Sequence, residues 1–150
     1  MAEGVTTEKH PLVLSALPVP AKYRNAITAR VGDTGPHWAT FHKGTDFAVP
    51  AGTPIYCGRF GTVVHSSNDG GPEGLYVSID CMTEHGMVRY LYFHLSRADL
   101  RVGKQVKTGQ MVGLSGNTGN STGPHLHYQI QSGSGLTRVF YIPDFSKEVE

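Results

Sequence analysis

Residues 87–96, MVRYLYFHLS, alternate so regularly that they suit a β-strand and no helix. Successive side chains of a strand point to opposite faces. Tyr90, Tyr92 and His94 then share one face, and Leu91, Phe93 and Leu95 the other. Reading outward, LYVSID (75–80) is a second strand, joined to the first through the turn EHG (84–86). Upstream, TDFAVP (45–50) leads into GTPIYCGRFGTVVHSS (52–67), where Gly58 and Gly61 punctuate two short β runs. SNDGGPEG (67–74) has strong turn chemistry and reads as a loop. Downstream, VGKQVKTGQMVGLSG (102–116) reads as short strands joined at Lys107–Gly109, followed by the long loop GNTGNSTGP (116–124). No window has helical period for longer than a turn, and SRADLR (96–101) is the one place for such a turn. The chain is therefore expected to be all-β, with turns every eight to twelve residues, as in a sandwich or open barrel.

Composition supports this and narrows the function. A chain of 150 residues suits one compact domain with a real core. Nineteen glycines are nearly twice the usual share of about 7%, which fits many tight turns. Thirteen Lys+Arg against twelve Asp+Glu leave a charge of +1, with no basic block, so neither nucleic acid nor an anionic membrane is an expected partner. No apolar run approaches the roughly eighteen residues of a membrane span. The early stretch PLVLSALPVP (11–20) is broken by prolines and preceded by Glu3 and Glu8, and is not read as a signal peptide. Residues 1–26 read as an N-terminal arm, 27–145 as the domain and 146–150 as a tail. Cys57 and Cys81 lie in apolar strand runs and are expected to be buried free thiols.

Histidine is the outlier, with eight copies. In STGPHLHYQI (121–130), a strand puts His125 and His127 on one face with Gln129 and Gln131, and Leu126, Tyr128 and Ile130 on the apolar face. In FHKGTDF (41–47), His42 stands four residues before Asp46. A straight strand would hold them about 13 Å apart, too far to share an ion, whereas a bend at Gly44 would bring them together. Each feature also has a plain reading: surface polarity for His42 and Asp46, a satisfied histidine under a loop for His94, the wet face of an edge strand for His125 and His127. Taken together, two histidines and a carboxylate are a known ligand set for catalytic zinc, with further histidines available for proton transfer.

FHKGTDFAVPAGTPIY, YLYFHLS, VGKQVKTGQMVGLSGNTG and STGPHLHYQI resemble, in this order, the signature segments of the LytM/lysostaphin-type zinc metallopeptidases, over about residues 40 to 131. The resemblance implies an antiparallel β-sheet core, an active-site groove roofed by loops, and cleavage of peptide bonds in bacterial peptidoglycan, in stem peptides or cross-bridges. It assigns His42, Asp46 and His127 to one Zn²⁺ per chain, and His125 and His94 to catalysis. His125 would take the proton of the attacking water, and His94 would hold the oxyanion or assist proton delivery to the leaving amine. Some members carry a tyrosine shortly before the first ligand. Here no Tyr lies between Arg30 and His42, and His37 and Trp38 occupy that approach. His37, Trp38 and Asn117 are the candidate groove residues, and the loops 31–41, 66–75, 82–88 and 115–123 are expected to set the choice of bond.

Three rivals stand beside this reading: a non-catalytic module of the same fold that activates another wall hydrolase, a thiol enzyme using Cys57 or Cys81, and a simple binding barrel. Retention of all three ligands and both extra histidines argues against the first. A monomer is expected. The lack of a signal peptide and of room for a wall-binding module fits a phage lysin, made in the host cytoplasm and released to the wall, and equally an excised catalytic domain.

Overall fold

The structure, a computed structural model, describes residues 10–149. Among them are twelve strands and two short 3-10 turns, Ala21–Tyr23 and Gly135–Thr137, and no α-helix. The strands are β1 (Leu12–Leu14), β2 (Ile27–Ala29), β3 (Thr45–Phe47), β4 (Pro54–Tyr56), β5 (Gly61–Asn68), β6 (Leu75–Thr83), β7 (Gly86–Ala98), β8 (Gln105–Val106), β9 (Met111–Ser115), β10 (Leu126–Ser132), β11 (Val139–Phe140) and β12 (Ile142–Asp144). Ten of them form one open antiparallel sheet, in the order β2-β3-β10-β7-β6-β5-β8, with β11 on β10 and β9 bridging β7 and β4. β1 and β12 form a separate parallel pair. SRADLR forms no helical turn, because β7 runs on through Ala98 and pairs with β9.

Alternation explains most of the core. Leu126, Tyr128 and Ile130 of β10 are buried on one face, packed with Phe47, Ile79, Tyr90 and Tyr92. The three tyrosines bring hydroxyls into this apolar layer, and each hydroxyl is satisfied. Tyr90 donates to the Leu14 carbonyl (2.8 Å), Tyr92 accepts the Gly58 N–H (2.8 Å), and Tyr128 meets the Ser15 hydroxyl (2.7 Å). These bonds tie the N-terminal segment to the sheet, and Val13 and Val19 from that segment join the core.

The alternation of β7 breaks at one residue. His94 has φ of +65°, the left-handed region that non-glycine residues seldom occupy. The register with β6 slips there: Val77 opposes Tyr92, but Leu75 opposes Leu95. His94 therefore does not share the face of Tyr90 and Tyr92. Leu95 takes the core position, fully buried, and Phe93 and His94 both turn to the groove. A β-bulge of this kind re-aims a side chain at the cost of one ladder position. The freed His94 N–H is taken by the Glu73 carbonyl (2.9 Å).

Candidate metal centre and its groove

His42 and Asp46 meet without a helix. The chain doubles back from β2, with the Gly32 N–H bonded to the His42 carbonyl (2.8 Å) and the His42 N–H to the Asp33 carbonyl (2.7 Å). Lys43 and Gly44 then turn into β3, where Asp46 points away from the buried Thr45 and Phe47. The bend is possible because position 44 has no side chain: a Cβ there would lie 2.7 Å from His127 Nε2 and 2.7 Å from the Tyr128 carbonyl oxygen. His127 arrives from β10, directly opposite Asp46 in the ladder.

Among the described residues, His42, Asp46 and His127 offer ligand atoms that all lie within 4.8 Å of one another. His42 Nε2 is 3.2 Å from Asp46 Oδ2, and His127 Nδ1 is 2.8 Å from Asp46 Oδ1. Ligands 2.0–2.2 Å from a tetrahedral ion would sit about 3.3–3.6 Å apart, close to the 3.2 Å pair and wider than the 2.8 Å one, so a small opening of the His127–Asp46 contact would admit a small cation. The outer nitrogens are committed elsewhere. His42 Nδ1 donates to the Arg30 carbonyl (3.2 Å), and His127 Nε2 donates to Gln129 Oε1 (2.8 Å). Gln129 is in turn oriented by donating to Gln131 Oε1 (2.7 Å). Such outer bonds fix tautomer and ring angle and leave the inner lone pairs for a metal. Two imidazoles and one carboxylate are a donor set suited to zinc, and a fourth side is open to the groove.

Electrostatics agree. Burial pushes the Asp46 carboxyl up, but contacts with His127 and His42 outweigh it and hold the group well below the usual carboxylate range. Burial lowers His42, yet Asp46 beside it raises the imidazole above its ordinary value on balance. The centre thus holds one carboxylate charge that a cation would neutralise.

The other two histidines stand beside the centre. His125 precedes β10, and its Nδ1 donates to the Gly123 carbonyl (2.8 Å), leaving Nε2 3.9 Å from Asp46 Oδ1. His94 Nδ1 donates to the Thr118 carbonyl (2.7 Å), and its ring lies 4.8 Å from that of His125. Burial pushes His94 down to about 4, with His125 and His127 adding to the effect, so its ring is neutral at pH 7. Phe93, which faces the groove by ordinary alternation opposite His127 in the ladder, stacks on His127 at 4.8 Å.

These residues floor a groove of about 600 Å³. His37 and Trp38 line it, and the Trp38 ring lies 4.9 Å from His42. Asn117 is exposed and is not part of the lining; the same loop puts Asn120, Ser121 and Thr122 there. The loop 66–75 contributes Pro72 and Glu73, held to the 115–123 loop by the Asn120 N–H on the Pro72 carbonyl (2.9 Å). The segment 82–88 does not reach the groove. Glu84 accepts from the Leu14 N–H (3.0 Å) and pairs with Arg59 (3.0 Å), and so secures β1 instead. Gln129 shares the face of His127 by strand alternation, but its bond to His127 shows only in three dimensions.

Cys57 and Cys81 are free, buried and outside the groove. Their Sγ atoms both bond to the Arg59 carbonyl (2.9 and 3.3 Å). Burial pushes the Cys57 thiol up to about 11 and Cys81 higher still, so neither supplies a thiolate at neutral pH. Cys57→Ser and Cys81→Ser are each expected to keep full turnover while losing about 1–3 kcal/mol of stability to an apolar-site hydroxyl. Paired thermal melts and turnover assays check this; loss of turnover in a folded Cys57→Ser protein would restore a thiol mechanism.

The comparisons with known proteins converge on one group. The peptidoglycan DD-endopeptidase ShyA of Vibrio cholerae is 50% identical over 93 residues, covering 59% of this chain and 20% of that protein. Lysostaphin of Staphylococcus simulans is 42% identical over 90 residues, covering 59% of this chain and 17% of its own length. The chain thus spans about one fifth of the curated relatives it matches. In structure, the catalytic domain of the prophage-encoded M23 protein EnpA from Enterococcus faecalis superposes with a TM-score of 0.68 at 31% identity, covering 83% of this chain and 92% of that one. A zinc-containing peptidase from Vibrio cholerae gives 0.61 at 30% identity, over 76% of this chain and 35% of the other. Residues 40–138 match the profile of peptidase family M23, and they contain the candidate metal centre, both neighbouring histidines and most of the groove; the chain belongs to that family.

Proposed function

We propose that the chain is a zinc-dependent endopeptidase that hydrolyses peptide bonds in bacterial peptidoglycan. The observation that carries this reading is the three-ligand centre, open to a groove and flanked by two histidines that are not part of it. The relative ShyA, named a peptidoglycan DD-endopeptidase, supports a wall substrate. His42, Asp46 and His127 would hold the zinc, which supplies a polarised carbonyl and an acidified water when bound. His125, its Nδ1 tied to the Gly123 carbonyl, is free to accept the water's proton at Nε2. His94, tied through Nδ1 to the Thr118 carbonyl, is free to hold or pass a proton at Nε2 toward the leaving amine. Trp38, packed on His42, shields the centre from bulk water on one side.

The test is digestion of purified walls from a Gram-negative and a Gram-positive species, with mass spectrometry of the soluble fragments. Zinc-loaded protein is expected to carry one Zn²⁺ per chain and to release new amine and carboxyl ends. A chelator should abolish the release, and added zinc should restore it. Undiminished release by metal-stripped protein would end this reading.

A further inference from the structure

Beside the groove lies a second hollow of about 380 Å³, lined by His10, Phe41, Lys43, Gly135, Arg138 and Phe140. Phe41 and Lys43 line both spaces, so the hollow continues the groove past the His42 side of the metal centre. Its residues come from separate parts of the chain. Phe41 and Lys43 flank the first candidate ligand, whereas Arg138 closes the 3-10 turn just before β11 and Phe140 lies in β11, paired with Gln131 of β10. Phe140 meets Phe41 edge to face at 5.7 Å. Lys43 Nζ lies over both rings, 5.4 Å from Phe41 and 5.9 Å from Phe140.

Among the described residues, no acidic side chain lines this hollow. Among the described residues neither Lys43 nor Arg138 has a carboxylate partner. Two aromatic faces steady the ammonium while leaving its N–H donors open to solvent, and the exposed Arg138 adds a second cation with no carboxylate partner among the described residues. By contrast, the carboxylate of the metal centre is already engaged by two histidines. The +1 charge of the chain therefore conceals a local positive end to the groove.

We propose that this hollow is a carboxylate subsite, in which Lys43 and Arg138 grip a free carboxylate of the bound peptide over the Phe41 and Phe140 rings. The inference rests on the enzymatic reading above and sharpens it. Wall stem peptides carry free carboxylates, whereas oligoglycine bridges carry none along their length. The subsite therefore selects stem peptides, cut near an acidic residue, over neutral bridges.

The experiment measures binding rather than turnover. The zinc-loaded full chain is titrated calorimetrically with the tetrapeptide L-alanyl-γ-D-glutamyl-L-lysyl-D-alanine, carboxyls free, and with the same peptide fully amidated. The free acid is expected to bind about five- to tenfold tighter at low salt, and the gap should shrink as salt is added. Lys43→Met and Arg138→Gln should each narrow it, and together remove most of it, with zinc content measured on every variant. Equal affinity for the two peptides in the wild-type protein would overturn the subsite. So would a preference that survives in the zinc-replete double variant, since the acid would then be ligating the metal. A protein that prefers the acid through these cations yet cuts no wall would count against the enzymatic reading alone.

Discussion

His127→Ala is expected to lose zinc and activity together, whereas His125→Ala should keep its zinc and lose activity by about 10²-fold or more. The two imidazoles are separated by one residue in sequence, but their surroundings differ. His127 pairs with Asp46 across the β3–β10 ladder, sets Nδ1 2.8 Å from the carboxylate and ties Nε2 to Gln129. Removing it takes away one of three ligands, and the remaining His42–Asp46 pair holds a cation weakly. His125 lies just before β10, bonded through Nδ1 to the Gly123 carbonyl, with Nε2 3.9 Å from Asp46. Were both histidines ligands, four protein donors would fill a tetrahedron and leave no place for water. Metal analysis of each purified variant, beside turnover on wall fragments, separates the outcomes. Equal loss of zinc in both variants would make the two imidazoles equivalent ligands and refute this division.

Gly44→Ala is expected to impair the centre without replacing any ligand. The new methyl would sit 2.7 Å from His127 Nε2, 2.9 Å from its Cε1 and 2.7 Å from the Tyr128 carbonyl oxygen. The carbonyl belongs to β10 between β3 and β7, so it has little room to yield. The His127 ring must move, and its bond to Gln129 breaks, or the bend must open and separate His42 from Asp46. Loss of outer support typically costs about 10- to 100-fold in metal affinity. Overpacking should also cost about 1–3 kcal/mol of stability. Competition with a chromophoric chelator reads the affinity, and circular dichroism confirms the fold. Wild-type affinity in a folded Gly44→Ala protein would show that the close approach is not what shapes the centre.

Local pattern carried much of this architecture. The two-residue period of 126–130 places Leu126, Tyr128 and Ile130 in the core and sends His127 and Gln129 to the groove, as the structure has them. Glycine and proline punctuation located the hairpins, and the apolar settings of Cys57 and Cys81 foretold buried free thiols. The four motifs, taken together, pointed to the family from the residues alone. These features depend on nearest neighbours along the chain, which a sequence displays directly.

The rest depends on contacts between distant segments. The face of His94 follows from a bulge set by the β6 register and by the Glu73 carbonyl, and alternation assigned it to the wrong side. The meeting of His42 with Asp46 depends on Gly44 lying against the His127 ring, a contact made across 83 residues of chain. The 82–88 segment was expected at the groove but is engaged with β1, because Glu84 finds its partners at Leu14 and Arg59. The groove lining passes from Asn117 to Asn120 because the 115–123 loop is pinned to Pro72. Residue types and their spacing determined which chemistry this chain is equipped for; strand register and loop-to-loop hydrogen bonds, which no local pattern encodes, decided where each reactive nitrogen points.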